Sequence, residues 1–357
     1  MAEMSKPDLD RSEFDQVELT RACALSEQSL VLACVKTSSD FYEPASVVWK
    51  YDASTGVPRW EAKPVDCDVA QLIPSDSQAD CVLLSSEGVV IVDVFGAQTQ
   101  ERLIGAGTWI DGAKGYGRML SLANIGDTLH ACGNGGQIYV RNSAGRWSLL
   151  TDAVLFDAEA DARLSRKAPL TTDPDFLQWL MDSRMQRPRN LSLHAIAGLR
   201  EDSVYSCGVT GTTPVLCFWD GQALHELELP LEAAALTGIH VEHEDSVWVC
   251  GRDGVLLHGS HARGFARVDP GRQQALFHMM TAYRGKLVLP ASAGPGGLFE
   301  LDLGAVDLRH FTPALPALRG DHIFYAGAVG EVLWVVGQKD IFRFDGSAWA
   351  RIEHPQI

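Results

Sequence analysis

The 357-residue chain is poor in positive charge: 30 lysines and arginines stand against 46 aspartates and glutamates, a formal net charge of −16. That imbalance argues against a nucleic-acid partner, because a phosphate backbone needs a basic face. It suits a basic protein partner, or simple solubility. Long hydrophobic runs are also missing. None approaches the roughly 20 residues of a membrane helix, so no membrane partner is expected. The opening stretch MAEMSKPDLDRSEFD has neither the basic n-region nor the apolar h-region of a secretory signal, and the expected location is the cytoplasm. Nucleophile-elbow, P-loop and zincin patterns are absent, as is any CxxC pair. No catalytic residue, metal ligand or cofactor is therefore expected.

What is present is a repeat. Its clearest copies are GDTLHACGNGGQIYVRNSAGRWSLL from Gly126, EDSVWVCGRDGVLLHGSHARGFARV from Glu244, and VGEVLWVVGQKDIFRFDGSAWARIE from Val329. Each reads as a turn, an alternating apolar strand ending in a small residue, a second turn, a further strand, a glycine turn and an aromatic. Period-2 alternation between turn residues is the signature of strands. Four weaker copies complete the set, and another short apolar stretch precedes every copy, which makes four strands per unit. Anchors at Cys34, Leu84, Cys132, Cys207, Cys250, Ala291 and Val336 lie 41 to 50 residues apart except for one gap of 75. That spacing matches propeller blades of about 40–50 residues. The expected fold is all-β: one seven-bladed β-propeller domain over 1–357, with a helical insertion at 151–190 between blades 3 and 4. Trp60, Trp147, Phe265 and Trp349 recur at one blade position and are expected to pack between blades. Residues near Phe14–Leu19 are expected to help zip blade 1 to blade 7. Cysteines at equivalent repeat positions read as buried, reduced thiols.

Two turns, Asn142-Ser143-Ala144-Gly145-Arg146-Trp147 and Phe344-Asp345-Gly346-Ser347-Ala348-Trp349, are similar to the Asp-box turn of BNR and sialidase propellers. The unit as a whole resembles the superfamily that includes kelch, YVTN and BNR-type repeats, and the GH…WD pair of WD40 blades does not occur. Asp52-Ala53-Ser54-Thr55-Gly56-Val57-Pro58-Arg59-Trp60 resembles the tryptophan-docking motif of quinoprotein propellers. It occurs once, where a quinone enzyme would repeat it. In its degenerate blades, acidic charge, lack of a secretory signal and single helical insertion, the chain is similar to bacterial propeller immunity proteins of polymorphic toxins. This likeness implies a non-enzymatic inhibitor, monomeric alone, that binds a basic toxin encoded nearby. The alternatives are a propeller enzyme, a carbohydrate- or metal-binding module using the central channel mouth, and a scaffold subunit.

Two places are candidates for partner binding. In the insertion, Asp173-Pro174-Asp175 reads as a helix start, and Phe176, Leu177, Trp179, Leu180, Met181 and Met185 follow until Arg187-Pro188 stops the helix. One reading packs Phe176, Leu180 and their neighbours on the rim. The other makes Phe176, Trp179, Met181, Met185 and Arg187 a partner-docking set, Trp, Met and Arg being residue types favoured in interface cores. The second place is the channel mouth, where His194, His240, His278 and His322 each fall near the start of the first strand of blades 4 to 7. His240/His243 and His258/His261 have HxxH spacing, but residues three apart on a strand point to opposite faces and do not chelate together.

Overall fold

The computed structural model describes residues 17–36, 46–76, 80–269, 275–292 and 296–357. Alternating apolar residues form seven antiparallel sheets, each built from consecutive strands. Blade 1 is β1 (Val17–Ser26), β2 (Ser29–Lys36), β3 (Ser46–Asp52) and β4 (Arg59–Val65). Blade 2 is β5 (Val69–Pro74), β6 (Cys81–Ser85), β7 (Val89–Val92) and β8 (Thr99–Arg102). Blade 3 is β9 (Met119–Ile125), β10 (Thr128–Gly133), β11 (Ile138–Arg141) and β12 (Trp147–Leu149). Then come α1 (Ala158–Ser165) and α2 (Phe176–Gln186), and blade 4 follows as β13 (Ser192–Arg200), β14 (Ser203–Thr210), β15 (Thr213–Trp219) and β16 (Leu224–Glu226). Blade 5 is β17 (Leu236–His243), β18 (Ser246–Gly251), β19 (Leu256–Ser260) and β20 (Gly264–Val268). Blade 6 splits its inner strand into β21 (Leu276–Phe277) and β22 (Thr281–Tyr283), followed by β23 (Lys286–Ser292), β24 (Gly297–Asp302) and β25 (Asp307–His310). Blade 7 is β26 (Ile323–Val329), β27 (Val332–Gly337), β28 (Ile341–Phe344) and β29 (Trp349–Arg351). This is a seven-bladed propeller with its two helices between blades 3 and 4.

A four-stranded blade has two apolar faces and must cover both with its neighbours. Among the described residues the buried apolar side chains fall into seven clusters, one across each seam. Seven of the eight cysteines are buried and all eight are free thiols. Burial pushes the thiols of Cys34 and Cys250 up to about 12, so they act as small apolar fillers.

Each inner strand carries one extra residue at the same height. The bulge falls at Thr20, Ala70, Leu120, His194, Thr237 and Phe324. In blade 6 three residues from His278 face two on β23. Opposite the position just before the bulge stands Cys34, Ser85, Gly133, Gly208, Gly251, Ala291 or Gly337. All are small, because the inner strand's carbonyl crosses there. A Cβ on Gly208 would sit 1.8 Å from Ser192 O, and one on Gly337 2.6 Å from His322 O. This register corrects two anchors: Ala33 and Pro290, not Cys34 and Ala291, are the counterparts of Cys250. Trp60, Trp147, Phe265 and Trp349 do share one outer-strand register.

Phe14 lies outside the described residues. Val17 and Leu19, at the start of the innermost strand of blade 1, do pack against blade 7 as expected. Blades 1 and 7 are joined by cross-bonds. Leu19 N donates to Gln338 O at 2.9 Å. Trp334 Nε1 donates to Ser26 O at 2.9 Å, and the Glu27 carboxylate accepts from Glu331 N at 2.8 Å. The C-terminal tail adds His354, whose ring meets Trp49 and Trp60 edge-on at 4.9 and 4.8 Å.

Candidate functional site

In four antiparallel strands, the second-to-third turn and the connection to the next blade emerge at one end. Both long connections of the described ring, 103–118 and 150–191, therefore open on the same face as the starts of the inner strands.

The first is a glycine-rich loop. Gly105, Gly107, Gly115 and Gly117 all have positive φ, which glycine adopts without steric cost. Gly107 N donates to Gly117 O at 3.1 Å and pinches the loop base. The Glu87 carboxylate, from the β6–β7 turn, accepts from Thr108 N at 2.7 Å and Trp109 N at 2.9 Å. Trp109 is thus held by its backbone while its side chain is 82% exposed. Reading the sequence missed this residue, because an isolated tryptophan in a polar glycine-rich stretch has no periodicity to mark it.

The second connection carries the helices. Asp157 caps α1, its side chain accepting from Ala160 N at 2.8 Å. The start of α2 lies later than expected: Asp175 is the cap residue, and the Asp173 side chain instead accepts from Asp175 N at 3.0 Å in a preceding turn. Ser183 is the one buried residue of α2. Phe176 and Trp179 are half-buried and stack at 6.2 Å. Leu180 does not seat on the rim as expected and is 39% exposed. Leu177, Met181 and Met185 are 66%, 64% and 91% exposed. Arg187 is no free docking group, since its guanidinium bonds Asp161 Oδ1 at 2.7 Å and braces α2 against α1. The next element is anchored too, by Arg189 gripping Glu226 with two bonds of 2.6 and 2.7 Å. The two connections adjoin: a Cβ on Gly115 would lie 3.1 Å from Ala158 Cβ at the head of α1.

The four histidines do not form one ring. His194 and His278 occupy the bulge level. His322 stands two residues before it and His240 three residues after it, deeper along its strand. His194 Nδ1 donates to Leu236 O of the next blade at 2.8 Å, while Nε2 lies 3.0 Å from Ser192 Oγ. Thr237, at the same level of blade 5, likewise donates to Phe277 O of blade 6. The His278 and His322 rings stack at 5.9 Å, and His278 Nε2 bonds Ser292 Oγ at 2.8 Å. Burial, then His322 and Arg21, holds the His278 imidazole down at about 4. His194 and His240 are also lowered, chiefly by burial. Among the described residues, no group of three or more His, Cys, Asp or Glu is placed to hold a metal.

One arrangement on the opposite face imitates a catalytic group. Ser246 Oγ lies 2.9 Å from His258 Nε2 and 2.8 Å from Glu242 Oε2. The carboxylate contacts the serine, not the histidine, so it does not orient the imidazole as a triad acid does. Ser246 is itself buried, and His258 stacks on Trp248 at 4.1 Å.

The fold defines the class: the chain is a seven-bladed β-propeller. Structural neighbours agree over nearly its whole length. Virginiamycin B lyase from Staphylococcus aureus, solved as a catalytically inactive variant with quinupristin, superposes with a TM-score of 0.60 at 8% identity, covering 90% of this chain and 92% of that one. The WD40 propeller domain of Doa1 gives 0.59 at 10% identity, covering 93% and 95%. At such identities the likeness is of fold alone. No family model matches the chain. In sequence it is similar to Immune protein Tsi7 of Pseudomonas aeruginosa, 23% identical over 328 residues, which span 90% of this chain and 94% of that protein.

Proposed function

We propose that this propeller is a non-enzymatic binding protein of the immunity type, which neutralises a toxin by docking it on the face that carries Trp109 and α2. The observation that carries the reading is the exposure of Trp109, Leu177, Met181 and Met185 on anchored backbone. Large apolar side chains left in water on a braced scaffold mark an interaction surface. Trp is also among the residue types that dominate binding energy, and pre-anchoring it lowers the ordering cost of association.

The similarity to an immune protein over nearly the full length of both chains supports the same reading. So does the charge. A chain of −16 speeds its encounter with a basic partner. The insertion between Leu149 and Leu191 is close to neutral, with six basic against seven acidic residues. In this reading the protein works in the cytoplasm and is monomeric until it meets its partner.

The test is co-expression with the product of the adjacent open reading frame, followed by size-exclusion chromatography and calorimetry. A one-to-one complex is expected. Trp109→Ala or Met185→Asp should weaken it by about 30-fold or more, the effect of losing a hot spot of about 2 kcal/mol, with the melting temperature unchanged. A complex indifferent to both substitutions, or none, would overturn the reading.

A further inference from the structure

The chain holds eight cysteines and seven methionines, and the fold reverses the order in which such sulfurs usually react. Cysteine normally goes first, because its thiolate is a strong nucleophile. Here seven of the eight thiols are buried, away from any oxidant in the solvent. The eighth, Cys67, is half-buried, and burial together with the flanking Asp68 and Asp66 pushes its thiol up to about 11. Burial likewise pushes Cys34, Cys217 and Cys250 up to about 12. Such groups stay protonated, and so unreactive, near neutral pH.

The methionines are placed the opposite way. Among the described residues, Met119 and Met280 are buried and Met279 is half-buried, whereas Met181 and Met185 are 64% and 91% exposed. These two stand four residues apart on α2 and continue a line begun by Leu177, four residues earlier, so one face of the helix carries all three. The other side of α2 turns to the propeller, with Ser183 buried and Phe176 and Trp179 half-buried. A thioether has no proton to lose before it reacts, so exposure governs its rate.

We infer that Met181 and Met185 form an oxidation site that switches the docking face off, with a peroxide as the oxidant. The thioether sulfur attacks one peroxide oxygen, an S–O bond forms and the O–O bond breaks. Sulfur loses two electrons, and hydrogen peroxide is reduced to water. The product is a sulfoxide, polar at a place where an apolar stripe has to be covered. The inference rests on the docking reading above. A docked partner shields the same two sulfurs, so only the free protein is switched.

The test treats the full chain with hydrogen peroxide at pH 7, removes the oxidant with catalase, and then measures tryptic peptide masses and, by calorimetry, affinity for the product of the adjacent open reading frame. Trypsin separates the two sites, with Met181 on peptide 168–184 and Met185 on peptide 185–189. Both sulfurs should gain one oxygen before Met119 does, while all eight cysteines remain open to alkylation after denaturation. The treated protein should bind about tenfold more weakly or worse, the scale of burying an unpaired polar group, and methionine sulfoxide reductase should restore the affinity. In the Met181→Leu/Met185→Leu protein, peroxide should leave the affinity at that variant's own untreated value. In the preformed complex both sulfurs should be protected. A complex that is unchanged by oxidation at both sites, a loss that persists in the double variant, sulfurs as reactive in the complex as in the free chain, or cysteines modified first overturns this inference alone. Absence of any complex with untreated protein overturns the docking reading, and this inference with it.

Discussion

At the scale of single residues, Trp109 and Glu87 work as one device. The indole offers contact area, and the carboxylate fixes where it stands by bonding two consecutive backbone N–H groups. Replacing Glu87 with Ala leaves the indole in place chemically but frees its backbone. The expected outcome is a partner affinity several-fold weaker at unchanged melting temperature, seen by calorimetry as a larger entropic penalty. A second residue-scale consequence concerns acid. His354 is buried between two tryptophans, and that burial lowers its imidazole to about 4 from an ordinary value near 6.5. The folded state thus resists a proton that the unfolded chain accepts. Its contribution is intact above about pH 6.5, is lost as pH falls toward 4, and amounts to an order of 3 kcal/mol. Urea unfolding at pH 7.5 and 4.5 should show a marked loss of stability, reduced in His354→Phe. Equal stability at both pH values would contradict it. The lowered carboxyls of Asp220 and Asp345, each near 2 through bonds to their turn backbone, act only at lower pH.

At the scale of elements, the bulge decides much that the sequence hides. Alternation and glycine turns are visible along the chain, so blades, strands and the insertion between blades 3 and 4 are all legible in it. A one-residue insertion in a strand shifts the alternation without leaving a marker residue: the bulge is filled by Thr20, Ala70, Leu120, His194, Thr237, His278 and Phe324. This is why two anchors fall one residue out of register, and why four histidines that look equivalent occupy three different heights. The helices show the converse. Asp157 caps α1, but Asp173 spends its side chain on a turn and delays α2. The docking surface is half legible: the apolar residues of α2 stand out, and Trp109 does not. The small residue opposite each inner strand is the cheapest place to test the bulge geometry. Gly208→Val drives a side chain into Ser192 O and should cost more than about 2 kcal/mol in urea titration. Ala291→Gly, at the same level of blade 6, should change stability by only about 1 kcal/mol.

At the scale of the whole molecule, stability is distributed over seven seams of similar make. Each buries between nine and fourteen apolar side chains, at about 1.5–3 kcal/mol for each fully buried large one. The seam between blades 7 and 1 buries fourteen of them among the described residues, more than any other seam, and Leu19 and Ile357 line one small cavity there. Because every blade is spun from one unbroken stretch of chain, the ring resembles a clasped necklace whose clasp is another bead-to-bead joint. The order in which a gene spells the beads is then free. A chain that begins at blade 4, runs through blade 7 and passes by a short linker into blade 1 would close the same circle, with its new ends at the helical insertion.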